Sequence, residues 1–223
     1  MQGAVSAVLA DCGAVGVLVN NAGYSQSGAV EEVPIASVRT QFETNVVGPV
    51  RLIQLVLPGM REQGWGRIVN ISSMGGRLTL PGGAFYHASK FALEAISDVL
   101  RFEVRRFGVD VSLVEPGIVK TQFGVRATDA AASVSSPSSP YFAYNQAIAT
   151  TTMDAYSGGL AFIAAPPAAV ARAVFRAASA RRPRTRYVVT LHARAGLLAR
   201  TLLPDRGWDA ALSAVYPRPG KPA

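Results

Sequence analysis

The sequence predicts a doubly wound parallel α/β sheet, on three observations. Short apolar runs alternate with longer stretches of helical periodicity, the pattern of strand–helix–strand units. Each run stops abruptly at small or turn-forming residues, as a strand buried on both faces does. Asn20, Ser73 and the Pro116-Gly117 pair all fall at those stops, where such sheets gather their chemistry.

Taken in order, residues 15–20 form the first apolar run, entered past Gly13 and Gly16 and closed by Asn20-Asn21-Ala22-Gly23. Met1 is read as leading almost at once into it. Residues 34–60 have helical periodicity, with Val38, Phe42 and Val46 on one side and Ile53 and Leu57 later. Pro49 has no N–H to return to the Asn45 carbonyl, so that carbonyl should be free and the helix irregular there. Residues 67–71 are the second strand, entered through Gly64-Trp65-Gly66. A Gly/Pro-rich loop follows over 75–83, then a long helix over 86–107 that Gly108 terminates. Residues 110–115 are a third strand, stopped by Pro116-Gly117. The Ala-, Ser- and Pro-rich stretch 127–140 reads as a mobile loop. Helices over 141–156 and 166–180, a last strand over 186–191, and short helices over 193–203 and 207–215 complete the chain. With no internal repeat and no convincing linker, residues 1–223 read as one domain, a core over 1–121 and a C-terminal part over 122–223.

Composition narrows the classes. With 49% hydrophobic and 16% charged residues, the chain has ample material for a core. A lone cysteine, Cys12, excludes an internal disulfide and suits a reducing cytoplasm. No His/Cys cluster suggests a metal, no basic leader precedes the apolar N-terminus, and no apolar run reaches membrane-spanning length. The net charge is +8, with much of the excess at Arg172, Arg176, Arg181, Arg182, Arg184, Arg186, Arg194 and Arg200. Without a nucleic-acid motif, and with few aromatics to stack on bases, these read as a solvated face, with no specific nucleic-acid partner.

The chemistry concentrates in Tyr86-His87-Ala88-Ser89-Lys90. A helix sets positions one turn apart on one face, so the Lys90 ammonium can sit beside the Tyr86 phenol. A neighbouring cation favours phenolate and should lower a pKa that starts near ~10. Such a phenol can exchange a proton with an alcohol or carbonyl near neutral pH. Ser73 can hold the same substrate oxygen, while alternation along the strand turns its rival Ser72 to the other face.

These pieces resemble the classical short-chain dehydrogenase/reductase family in kind, order and spacing. The matching motifs are Asn20-Asn21-Ala22-Gly23, Asn45 in Thr44-Asn45-Val46-Val47-Gly48, Ile71-Ser72-Ser73, Tyr86/Lys90, and Pro116-Gly117 followed by Thr121. The resemblance implies a Rossmann-type fold and an NAD- or NADP-dependent oxidoreductase that interconverts an alcohol and a ketone or aldehyde. It implies catalysis by Tyr86, Lys90, Ser73 and Asn45, the asparagine holding a water in a proton relay to the lysine. Asn21, Ala22, Gly23, Tyr86, Lys90, Pro116, Gly117, Val119 and Thr121 are implied to meet the coenzyme, the last four near its nicotinamide amide. Phe85, Met74, Phe123 and the 127–160 region would line an apolar pocket for a lipophilic substrate. Helices around Asn45 and Tyr86 would pair subunits into a homodimer or homotetramer.

One family piece has no counterpart here: the first strand, Gly-rich turn and helix that hold the pyrophosphate. Such a unit takes about 30 residues, so roughly 60–80 residues of the family pattern are expected upstream. The expected fold is therefore N-terminally incomplete, with an exposed apolar edge at 15–20, weak coenzyme binding and unreadable NAD/NADP preference. A non-catalytic association module, a basic nucleic-acid-associated protein, and an epimerase or dehydratase using the same Tyr/Lys pair are the competing readings.

Overall fold

The computed structural model describes residues 1–133, 136–156, 158 and 161–220. Four parallel strands form one sheet in the order β1 (Val17–Asn20), β2 (Gly66–Ile71), β3 (Val109–Glu115), β4 (Arg186–Val188). Alternation along the strands sends Ile68, Val109 and Val111 to one face. There they pack with Ile53, Val56, Met60, Leu100 and Val104 from α3 (Gly48–Glu62) and α4 (Ala84–Val104). Val69 and Val114 point to the other face and meet Ala173 and Ala177 of α7 (Pro167–Ser179). Both faces are covered by helices, which is the doubly wound architecture the sequence predicts.

Several boundaries differ from the sequence reading. An α-helix, α1 (Gln2–Cys12), precedes β1 where no element was expected. It lacks a side-chain cap and buries only Val5 fully, against α3, so its signal in the sequence is weak. The stretch expected to be a mobile loop begins as α5 (Phe123–Ser133), while Ser136 to Pro140 form a turn ahead of α6 (Phe142–Tyr156). Residues 134 and 135 of that expected loop lie outside the described residues. The last strand is shorter than expected, because Thr190 caps α8 (Leu191–Leu202) by accepting the Ala193 N–H, which starts a helix at Leu191. α9 (Asp205–Ser213) follows.

Two sequence expectations have direct structural counterparts. Between α2 (Ile35–Phe42) and α3 the chain winds as a π-helical turn over Glu43–Val47, with the Gly48 N–H donating to the Glu43 carbonyl. Pro49, without an N–H, lies just beyond it. Gly108 ends the long helix after a 3₁₀ turn (Arg105–Phe107) at φ 74°, where the Gly64 carbonyl would lie only 2.0 Å from an added Cβ. β1 is an edge strand, and Val17 and Val19 are each 39% exposed.

Candidate active site

The carboxyl ends of β1, β2 and β3 converge on the amino-terminal half of α4. A buried chain of polar side chains fixes them: Asn20 donates to Asn70 Oδ1 at 2.8 Å and Asn70 donates to Ser97 Oγ at 2.8 Å. Ser97 in turn donates to the Leu93 carbonyl at 2.6 Å. Past Asn20 the chain emerges into the exposed turn Asn21-Ala22-Gly23. A Cβ on Gly23 would sit 3.1 Å from Asn45 Oδ1 and 3.5 Å from Lys90 Nζ, so the missing side chain is what lets the turn approach both groups.

Asn45 is buried and clamps that turn. Its Oδ1 accepts the Tyr24 N–H at 3.2 Å, and its Nδ2 donates to the Tyr24 carbonyl and to Ser89 Oγ, each at 3.0 Å. The site asparagine thus joins the β1 exit to α4, one residue before Lys90. Lys90 is also buried and donates from Nζ to the Ile71 carbonyl at 2.8 Å. Its Nζ lies 5.8 Å from the centre of the Tyr86 ring. Burial pulls the ammonium down to about 8, partly offset by Glu94 one helical turn further on.

The Ser73 hydroxyl lies close enough to the Tyr86 phenol to favour its ionised form. Ser73 Oγ also accepts the Gly75 N–H at 3.0 Å, which pins the end of β2. Here the structure corrects the electrostatics expected from the sequence: Tyr86 is not lowered but pushed up to about 12. Burial dominates, and the Ser73 hydroxyl pulls the other way. A helix spacing gives the direction of a neighbour; it does not give the local dielectric.

Phe123 of α5 packs 5.4 Å from the Tyr86 ring, and Tyr156 of α6 lies 6.5 Å beyond Phe123. Tyr156 was not singled out from the sequence. Burial raises its phenol strongly, with the charge of Tyr86 adding to the rise. Gly124 makes room for it, since a Cβ there would fall 2.2 Å from the Tyr156 ring.

Pro116 closes the site from β3, its carbonyl accepting the Met74 N–H at 2.9 Å. Val119 and Thr121 lie further along the same segment. Val119 bridges to Ala165, and the exposed Thr121 hydroxyl is held locally, accepting the Phe123 N–H at 3.3 Å. The structure therefore brings Tyr86, Ser73, Lys90, Asn45, Gly23 and Pro116 together. Asn21 and Ala22 stand at the exposed mouth, and Thr121 at its edge.

Three features were not legible as site components. His87 stitches the 75–80 loop, its Nδ1 2.9 Å from the Gly75 carbonyl and its Nε2 accepting the Leu80 N–H at 3.1 Å. His192 does the same for the segment after β3, its Nε2 accepting the Ile118 N–H at 2.8 Å. Behind Lys90, Arg186 from β4 binds Glu94 at 3.1 Å, Asp98 at 2.7 Å and the fully buried Glu115 at 2.9 Å, while Arg77 reaches Glu115 at 3.1 Å. The sequence reading placed Arg186 on a solvated arginine face; the structure instead draws it into this ion-pair cluster, half-buried against Glu94 and Glu115.

Among the described residues no group of His, Cys, Asp or Glu could hold a metal ion, and no helix is long and apolar enough to cross a membrane. A nicotinamide coenzyme fits what is present at one end. Lys90 has three N–H donors and directs one to Ile71, and the exposed Gly23 turn and the segment after Pro116 flank it.

The profile of the short chain dehydrogenase family matches residues 1–132. The chain is 34% identical over 199 residues to the oxidoreductase YusZ of Bacillus subtilis, covering 89% of this chain and 69% of that one. It is 36% identical over 197 residues to an NADPH-dependent 3-dehydrocapnine reductase of Ornithobacterium rhinotracheale, covering 86% and 67%. Among solved structures it is similar to a short-chain dehydrogenase of Streptomyces avermitilis, with a TM-score of 0.73 and 33% identity over 96% of this chain and 72% of that one. The chain spans from 40 to 69% of the length of the curated relatives compared with it. By profile, by relatives and by fold, the chain belongs to the short-chain dehydrogenase family.

Proposed function

We propose that the protein is an NAD(P)-dependent oxidoreductase interconverting a secondary alcohol or hydroxymethyl group and the matching carbonyl. The observation that carries this reading is the convergence of Ser73, Tyr86 and the buried Lys90 ammonium, whose Nζ lies 5.8 Å from the Tyr86 ring centre and donates to the Ile71 carbonyl. When bound, the coenzyme supplies or accepts the hydride; everything else falls to the chain. Tyr86 delivers its phenolic proton to the carbonyl oxygen in reduction, or takes it back in oxidation. Ser73 holds that oxygen. Lys90 binds the ribose hydroxyls and keeps a positive charge near the phenol below about pH 8. Asn45 steadies the turn on which the coenzyme rests, and the π-helical winding before Pro49 favours a role for its backbone carbonyl in a proton relay. Asn21, Ala22, Gly23, Pro116, Gly117, Val119 and Thr121 complete the nicotinamide–ribose half of the cradle. The NADPH dependence of the Ornithobacterium relative supports the coenzyme class. The aromatic cover of Phe123 and Tyr156 supports a lipophilic substrate.

The functional test is a panel of lipophilic alcohols and ketones assayed with millimolar NADH and NADPH. Tyr86→Phe should lower turnover at least ~10²-fold without changing the fold. A variant as active as the wild type would refute the assignment. The outward face of α4 leaves Phe91, Val99 and Phe102 exposed, Phe102 at 88%, which supports pairing of two copies through this helix as a homodimer or homotetramer.

A further inference from the structure

His192 sits where three separate pieces of chain meet. Its Nε2 accepts the Ile118 N–H at 2.8 Å, and the Thr190 hydroxyl lies 3.3 Å from the same nitrogen. Two groups able to donate therefore converge on Nε2. That fixes the tautomer: the proton is on Nδ1, and the nearby Ile163 backbone carbonyl favours the protonated ring. Ile118 and Ile163 belong to segments that are themselves paired. The Ala165 N–H donates to the Ile118 carbonyl at 3.0 Å and the Lys120 N–H to the Ala165 carbonyl at 2.9 Å. His192, from the first turn of α8, stands at the end of that small ladder, accepts the Ile118 N–H on one side and lies near the Ile163 carbonyl on the other.

The fit leaves no slack. A Cβ on Gly117 would lie 2.1 Å from His192 Nε2 and 2.4 Å from Thr190 Oγ1, so the segment leaving β3 can approach the imidazole only because residue 117 is glycine. Just upstream, Pro116 receives the Met74 N–H, and Met74 follows Ser73. The imidazole is thus two residues of chain away from the group that pins the catalytic strand end.

Resting on the oxidoreductase reading above, we propose that His192 is a positioning residue for the coenzyme: it holds Gly117–Val119 in the one shape that can receive the nicotinamide end, and so makes coenzyme binding depend on the C-terminal helix. His192 touches no reacting atom. It supplies a neutral acceptor to a backbone N–H that would otherwise leave the segment free to drift.

The test compares His192→Leu, His192→Gln and Gly117→Ala in the full chain. Gln keeps an acceptor for Ile118 and a donor for Ile163; Leu keeps the bulk alone; Gly117→Ala forces the two partners apart from the opposite side. Hydrogen exchange of the peptide spanning residues 116–121 reads the segment directly and needs no coenzyme. Leu and Ala should speed its exchange about tenfold, as expected for one lost hydrogen bond, and Gln should restore it. In parallel, kcat/KM for the coenzyme should fall about tenfold in the Leu and Ala variants, with recovery in Gln and melting temperatures within a few degrees of wild type. Unchanged exchange in His192→Leu overturns the proposal. So does faster exchange with coenzyme kcat/KM held within twofold, which would make the histidine a staple and nothing more. A wild-type chain that neither binds nor turns over either coenzyme sinks the oxidoreductase reading and the coenzyme half of this proposal. Even then the exchange arm shows whether His192 holds the segment.

Discussion

Replacing Lys90 by arginine should bring the Tyr86 phenol down from about 12 to near 10, the opposite of what removing a catalytic lysine is usually expected to show. The rise from 10.0 to about 12 corresponds to about 3 kcal/mol against the phenolate. A unit cation 5.8 Å from the ring centre, over which part of the phenolate charge spreads, offers about 3 kcal/mol in its favour at an effective dielectric of ~20. A permanent charge at position 90 would therefore cancel the effect of burial. Lys90 fails to do so because of the order of titration: its own proton leaves at about 8, before the phenol begins to ionise. Above that pH the amine is neutral, and only the Ser73 hydroxyl opposes desolvation. Arginine keeps its charge throughout, can still donate to the Ile71 carbonyl, and extends toward a turn where Gly23 has no side chain. The measurement is an ultraviolet ionisation difference curve, wild type minus Tyr86→Phe, repeated in the Lys90→Arg background. Circular dichroism at each pH confirms that the fold persists. A wild-type Tyr86 that ionises near 10 or below would show that the lysine charge outweighs burial, and the reasoning would be wrong. An unmoved curve in a folded Lys90→Arg chain would be equally damaging.

Three further expectations are simpler to read. Burial lowers His87 below the ordinary 6.5, so between its folded value and 6.5 the unfolded chain binds the proton and the folded chain does not. Stability from this group is complete above 6.5 and is lost as pH falls, and the acid slope of urea stability should flatten in His87→Gln; an unaltered slope would count against it. Gly108→Ala must place a Cβ against the Gly64 carbonyl at positive φ and should cost more than about 2 kcal/mol in urea unfolding, with little loss indicating that the turn can open. Pro49→Ala returns an N–H opposite the Asn45 carbonyl and should convert the π-helical turn to α-helix, lowering turnover about tenfold. Kinetics indistinguishable from wild type would remove the carbonyl from the mechanism.

What the sequence disclosed and what it withheld divide along a physical line. The strands ending at Asn20, Ile71 and Glu115 were legible because each is rich in Val, Leu or Ile and stops at a turn. The irregularity before Pro49 was legible because a missing N–H is a property of one residue. α1 and α5 were not, since their runs of small residues offer few large apolar side chains to mark a buried face. Local patterns report local causes.

The site shows the same division at higher stakes. That Tyr86, Lys90 and Ser73 would meet followed from spacing and order, whereas the direction of the Tyr86 shift did not. That shift follows from burial, to which Phe123 on the Tyr86 ring and Tyr156 beyond it contribute from helices 37 and more residues downstream. His192 is more extreme still, reaching Ile118 across 74 residues with no motif to announce it. The charges behind Lys90 follow suit: Arg186 comes from the last strand to bind Glu94, and Glu94 is what keeps the buried lysine from falling further than about 8. The C-terminal third, where the motifs are weakest, therefore sets the electrostatics under which the motif residues work. It follows that relatives sharing Tyr86, Lys90 and Ser73 but differing over residues 123–192 should keep the reaction and differ in its pH dependence. Grafting those residues between two such relatives and comparing their pH–rate profiles would decide the point: a profile that stays with the Tyr/Lys helix, not with the graft, would place the tuning in the motif after all.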